Sequence, residues 1–207
     1  MSSSTDQRRR ARLRVGGSTL AALALGAAGV ALAATPETPV VATEKAGGAA
    51  EGAPDLTRVS LQRASDGRLR AGMSFGADLA PKDLVAKSGP PGSACLRLYT
   101  ATTPGVLPPD YLICVTADAK GTKLRASILA EQVNKLPKRV GSATVTRPSK
   151  RSMVLRFSQS AVGKPAIIRF AAEATKPGCI KASCVDTVPN APGTKKLTLR
   201  LEAPPER

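Results

Sequence analysis

Histidine is absent from the 207 residues of this chain, and so is tryptophan. Without histidine the chain loses the commonest general base, the commonest nitrogen ligand for metals and the side chain that titrates nearest neutral pH. Ser-His-Asp and Cys-His nucleophilic sites and imidazole-ligated metal chemistry are thereby excluded. Aromatic residues make up 2% and amount to Tyr99, Tyr111, Phe75, Phe157 and Phe170, so stacking platforms are scarce. The residue order also lacks a Ser-x-x-Lys, a Gly-x-Ser-x-Gly and a phosphate-cradling glycine loop. No catalytic residue and no cofactor is expected.

Positive charge, by contrast, is abundant: the formal net charge is +16. Part of it belongs to the N-terminus, where Arg8, Arg9, Arg10, Arg12 and Arg14 precede an uncharged Ala/Gly/Leu run from Val15 to Ala34 that ends on Ala31-Leu32-Ala33. This order of basic, apolar and small residues is that of a signal peptide over residues 1–33, so the chain is expected to be secreted. The run is also about long enough to span a bilayer, and an uncleaved anchor through Val15–Ala34 is the alternative. Residues 34–54 mix Pro, Ala, Gly and Glu without periodicity and read as a disordered linker. Residues 1–33 carry five basic and one acidic residue and residues 34–54 one basic and three acidic, which leaves residues 55–207 at +14 from 25 basic and 11 acidic. The positive field therefore belongs to the expected folded part, and it favours polyanions over small ligands.

From Asp55 onward apolar residues alternate with polar ones. Leu69, Ala71, Met73 and Phe75 share one face while Arg68, Arg70 and Ser74 share the other, and Leu124-Ala126-Ile128, Met153-Leu155-Phe157, Ile168-Phe170 and Leu197-Leu199-Leu201 repeat the scheme. Period two over about nine short segments with no long helix predicts an all-β domain, an antiparallel two-sheet β-sandwich over residues 55–207. Cys95 and Cys114 fall opposite each other if Ser93–Asp118 forms a hairpin, and Cys179 and Cys184 share one short loop. Two disulfides with these pairings are expected in an exported chain, contributing roughly 3 and roughly 2 kcal/mol on the loop-closure model. A zinc site has neither histidine nor a Cys-x-x-Cys knuckle to build on, and no metal is expected.

Two acid-based alternatives remain open to the residues present. A carboxylate pair of the glycosidase type would have to come from Asp66, Asp78, Asp83, Asp110, Asp118 and Asp186, whose spacing selects no pair. Asp110-Tyr111 and Asp186-Thr187 with Pro189-Asn190 offer oxygens for calcium, although aspartates beside turn residues ordinarily bond their own backbone. The cations are more informative. Arg125, Arg156, Arg169, Lys196 and Arg200 each alternate with core-type residues, so a shared sheet would gather them on one solvated basic face. Two further clusters, Lys135 with Lys138 and Arg139, and Arg147 with Lys150 and Arg151, bracket a single strand.

Short segments resemble DOMON domains and family 9 carbohydrate-binding modules of exported bacterial proteins. They are Asp55-Leu56-Thr57-Arg58-Val59, Gly67-Arg68-Leu69 with Met73-Ser74-Phe75, Asp110-Tyr111-Leu112 and Asp186-Thr187-Val188-Pro189-Asn190. The resemblance implies a two-sheet sandwich that binds sugars or haem or serves as an accessory module. This chain departs from both binding types, with no tryptophan for a sugar clamp and no histidine to join Met73 or Met153 on a haem iron. The expectation is a monomeric, non-catalytic binding module whose partner is an anionic envelope polymer or glycan, or alternatively another envelope protein. Nucleic acid and stable membrane insertion after cleavage are not expected.

Overall fold

Alternation decides where strands form. The structure, a computed structural model, describes residues 38–49, 52–100, 108–132, 134–189 and 197–201; the segment 1–33, Lys196 and Asn190 lie outside them. Among the described residues eleven strands follow in order: β1 (Val40–Thr43), β2 (Leu56–Arg63), β3 (Leu69–Phe75), β4 (Ser93–Tyr99), β5 (Tyr111–Ala117), β6 (Leu124–Gln132), β7 (Lys135–Ser149), β8 (Ser152–Phe157), β9 (Ile167–Thr175), β10 (Val185–Val188) and β11 (Leu197–Arg200). Helical structure among the described residues is limited to three short 3-10 turns, Pro81–Leu84, Gln159–Val162 and Ala182–Cys184. None is long and apolar enough to cross a membrane.

All pairings are antiparallel, and the backbone ladder runs in the order β1-β2-β3-β8-β7-β6-β5-β4-β9-β10, with β11 on β9. The all-β antiparallel class expected from the alternation is the class observed. The division into two sheets is not made by the ladder, because β7 is long enough to serve both halves. Its first part pairs with β6 up to Ala143 and its second part pairs with β8 from Thr144. The sheet is open, yet it rolls far enough for its ends to meet: β10 lies against β2 and β11 against β1. One core fills the inside, drawing Val59, Leu61, Leu96, Ile113, Leu155 and Phe170 from both halves, all without solvent exposure.

Two of the eleven strands were not among the nine expected. Val40–Thr43, inside the segment expected to be a disordered linker, pairs with Arg58–Leu61 of β2 as β1. Its sequence VVAT is β-branched, and Val40 and Ala42 pack on the core, so edge pairing orders four residues whose own alternation is too short to read. The folded part therefore begins ahead of Asp55. The other is β10, which carries Asp186 into the sheet where a loop was expected. In β2 a bulge between Leu56 and Arg58 lets Leu56 and Val59, three residues apart, both face inward.

Both expected disulfides form. Cys95 and Cys114 are direct partners in the β4–β5 register with Cα atoms 4.0 Å apart, and Cys179 and Cys184 close the turn before β10 with Cα atoms 6.2 Å apart. Two bridges fit an oxidising environment of the extracellular type.

Candidate functional site

The basic residues are sorted by the strands that carry them. Arg156 sits on β8 and faces solvent between the buried Leu155 and Phe157. Arg169 on β9 is opposite Tyr99, and Arg200 on β11 is opposite Ile167, so these two share one end of the outer face of the other half. Arg125 on β6 is opposite Thr116, at the far end of that half. Five strand steps separate β8 from β9 in the ladder, and the sheet rolls between them. The expected single basic face is thus divided, and Arg156 is not gathered with Arg125, Arg169 and Arg200. Alternation states which residues point outward but not which outward faces coincide.

Arg156 has other cationic neighbours. Its Cα partner on β3 is Arg70, and Arg70 is in turn opposite Gln62 on β2. The next outward row is Ser60, Gly72 and Val154, and the row beyond it is Arg58, Ser74 and Ser152. Each is outward because the intervening Val59, Leu61, Ala71, Met73 and Leu155 are core. Gly72 lowers the middle of this surface: a Cβ there would stand 2.8 Å from Ser60 Oγ. The result is an open groove of about 250 Å³ with Arg58 and Arg70 on its sides and Ser60, Gly72, Ser74 and Ser152 along its floor.

Like charges placed directly opposite on neighbouring strands oppose pairing, by an amount of the order of 0.2–1 kcal/mol. Arg70 and Arg156 are such a pair. Asp66 Oδ2 lies 4.0 Å from an Arg156 guanidinium nitrogen, and the two side chains are about half exposed, so this contact neutralises little. The Asp66 carboxylate also accepts the Arg68 N–H at 3.0 Å as part of the β2–β3 turn. Guanidinium forks beside hydroxyl and amide donors can hold carboxylate, sulfate or phosphate groups. The serines have no imidazole to activate them.

The second polar cluster belongs to the outer face of the other half. An Arg97 guanidinium nitrogen stands 3.0 Å from Glu173 Oε2, both partly buried, next to the buried Tyr99. Burial raises the Glu173 carboxyl above the ordinary carboxylate range, Arg97 opposes the rise and the charge of Glu131 adds to it. Burial likewise raises the Tyr99 hydroxyl.

The six aspartates weighed as catalytic are bonded separately. Asp66 serves its turn, Asp83 accepts the Ala80 N–H, Asp118 accepts Thr122 and Lys123, and Asp78 meets Arg151 at 3.0 Å. Asp110 accepts the Thr100 N–H at 2.6 Å and Asp186 the Leu56 N–H at 2.6 Å, so one oxygen of each carboxylate considered for calcium is directed to backbone. Among the described residues no group of three or more Cys, Asp or Glu is placed to hold a metal ion. Of the cation clusters, Arg147 is committed internally, donating to the carbonyls of Leu79 and Lys150, and Lys135, Lys138 and Arg139 are all exposed.

Comparison of the chain with protein-family models, with curated proteins and with solved structures finds no match.

Proposed function

We propose that the protein is an exported, non-catalytic binding module that holds an anionic polymer or glycan by charge in the groove across β2, β3 and β8. The observation that carries this reading is the pair Arg58 and Arg70 lining a groove with small hydroxyl residues along its floor, with Arg156 opposite Arg70 on the neighbouring strand. Two guanidinium groups opposed on adjacent strands, one of them only weakly countered by Asp66, weaken the empty sheet slightly and are relieved when an anion lies between them. A groove half open to solvent suits a segment of a polymer better than an enclosed small molecule, and the shortage of aromatics leaves charge as the main attraction.

Retention on immobilised polygalacturonate and on dextran sulfate at about 50 and about 500 mM salt tests this, because such contacts are screened beyond roughly 8 Å at physiological ionic strength. The expected result is retention at low salt that is lost at high salt and is strongly reduced by Arg70→Gln with Arg156→Gln. Neither residue contributes to the core and their mutual repulsion is removed, so the double variant's thermal midpoint should be equal to or slightly above that of the native chain. Equal retention by the double variant and the native chain would refute the groove.

A further inference from the structure

The β6–β7 hairpin carries an exposed leucine among cations. Lys135, Leu136, Pro137, Lys138, Arg139 and Val140 open β7, with Leu136 88% exposed and Val140 46% exposed. This part of β7 pairs with β6 on one side, and β8 joins the strand from Thr144, so Lys135–Ala143 is an edge of the sheet. Edges are ordinarily blunted by proline, lysine and bulges. Pro137, Lys135, Lys138 and the register shifts at Ile128/Leu129 and Ala130/Gln132 serve that purpose here. Leu136 does the reverse, since exposed apolar side chains on an edge promote association.

The strand register places other residues at the same end. Ala130 is opposite Tyr111, Tyr111 opposite Leu98, Leu98 opposite Phe170 and Phe170 opposite Leu197. Continuing from Ala130 towards the hairpin tip runs in the same direction as from Phe170 to Ile167 and from Leu197 to Arg200. Ile167, 37% exposed, and the exposed Arg200 therefore lie towards the end of the sheet that bears Leu136. Lys135–Val140 contains three cations and no acid.

We infer that this end of the sheet, led by Leu136, docks reversibly on an anionic lipid bilayer. A dissolved polyanion engages the cations and leaves Leu136 in water, whereas a bilayer with anionic headgroups receives both: Lys135, Lys138 and Arg139 lie among the headgroups while Leu136 enters the acyl boundary. One leucine with a few cations gives weak, reversible association rather than insertion. The surface is separate from the arginine groove on β2, β3 and β8.

The test uses the compact unit Ala33–Arg207, which contains all eleven strands and the whole core, so that the apolar N-terminal run does not itself bind lipid. Cosedimentation with phosphatidylglycerol/phosphatidylcholine vesicles should exceed that with phosphatidylcholine alone. Leu136→Ser should lower it about tenfold, and Lys138→Gln with Arg139→Gln about thirtyfold. Retention of both variants on dextran sulfate should change far less than their vesicle binding, and Arg70→Gln with Arg156→Gln should leave vesicle binding in place. The chain has no tryptophan, so Leu136→Trp supplies a single reporter whose emission should shift to the blue when anionic vesicles are added. Leu136 is exposed, so none of these changes should move the thermal midpoint. Unshifted emission, equal partition of Leu136→Ser and the native unit, or no preference for anionic vesicles would each overturn the inference.

Discussion

Asp186 bonds one end of the sheet to the other. It lies on β10 on the inward side, opposite Ala174, and accepts the N–H of Leu56 on β2, 130 residues away in sequence. Burial raises its carboxyl above the ordinary aspartate value, the N–H bonds from Leu56 and Thr187 pull it back, and the charges of Asp55 and Glu44 add to the rise. A raised carboxyl holds its proton in the folded chain over a pH range where the unfolded chain has lost it. The stability this supplies is complete below the unfolded value and is lost as pH rises through the folded one. Asp186→Asn keeps an acceptor for Leu56 without the charge, so it should flatten this part of the pH dependence and leave stability at neutral pH equal to or above that of the native chain. Asp186→Ala leaves the Leu56 N–H without that acceptor and should cost about 1–3 kcal/mol. Urea unfolding of all three at acidic and neutral pH distinguishes these outcomes, and a native-like pH slope in Asp186→Asn would show that the carboxyl is not responsible.

Among the elements, β4 and β5 are the centre of their half, and the Cys95–Cys114 bridge crosses between them at a directly opposed pair of positions. The bridge closes a separation of 19 residues, and the Cys179–Cys184 bridge closes 5 in a turn at the periphery. Replacing Cys95 and Cys114 by Ala should therefore destabilise the chain by about 3 kcal/mol and replacing Cys179 and Cys184 by about 2 kcal/mol, less any strain released. Thermal unfolding of the two double variants checks the order. A larger loss from the peripheral pair would mean that the turn before β10 holds more of the fold than its loop length implies. Register for the first bridge was legible in the sequence because both cysteines sit in apolar runs of matching phase around one connection. β1 was not, since four residues cannot display a period and their pairing depends on the edge that β2 offers.

At the scale of the whole molecule, net charge and N-terminal organisation are the observables. The reading of residues 1–33 as a signal peptide predicts that N-terminal sequencing of protein recovered from culture medium begins at Ala34 or within a residue or two of it. Full-length chain retained in the membrane fraction would instead favour the anchor through Val15–Ala34. Among the described residues, the cations of the +14 segment 55–207 are spread over the rolled sheet rather than concentrated. Arg58, Arg70 and Arg156 face outward from one half, Arg169 and Arg200 from the other, and Lys135, Lys138 and Arg139 extend from the hairpin on the edge of β7. Separated patches can be tested separately, each with its own substitution and its own salt dependence.

Local chemistry settles whatever depends on neighbours in sequence. Period-two alternation determined nine of the strands and their buried faces, the absence of histidine excluded whole classes of chemistry, and cysteine position in the chain pointed to both bridges. Tertiary structure decided what depends on residues far apart. The sharing of β7 between two ladders makes one sheet where two were expected, and rolling of that sheet separates Arg156 from Arg125, Arg169 and Arg200 while placing it beside Arg70. An outward side chain is specified by the polarity of its own strand, but its neighbours across the surface are specified by strand order. Strand order is set by which apolar faces can be buried together around one core, a property of the assembled sheet that no single segment contains.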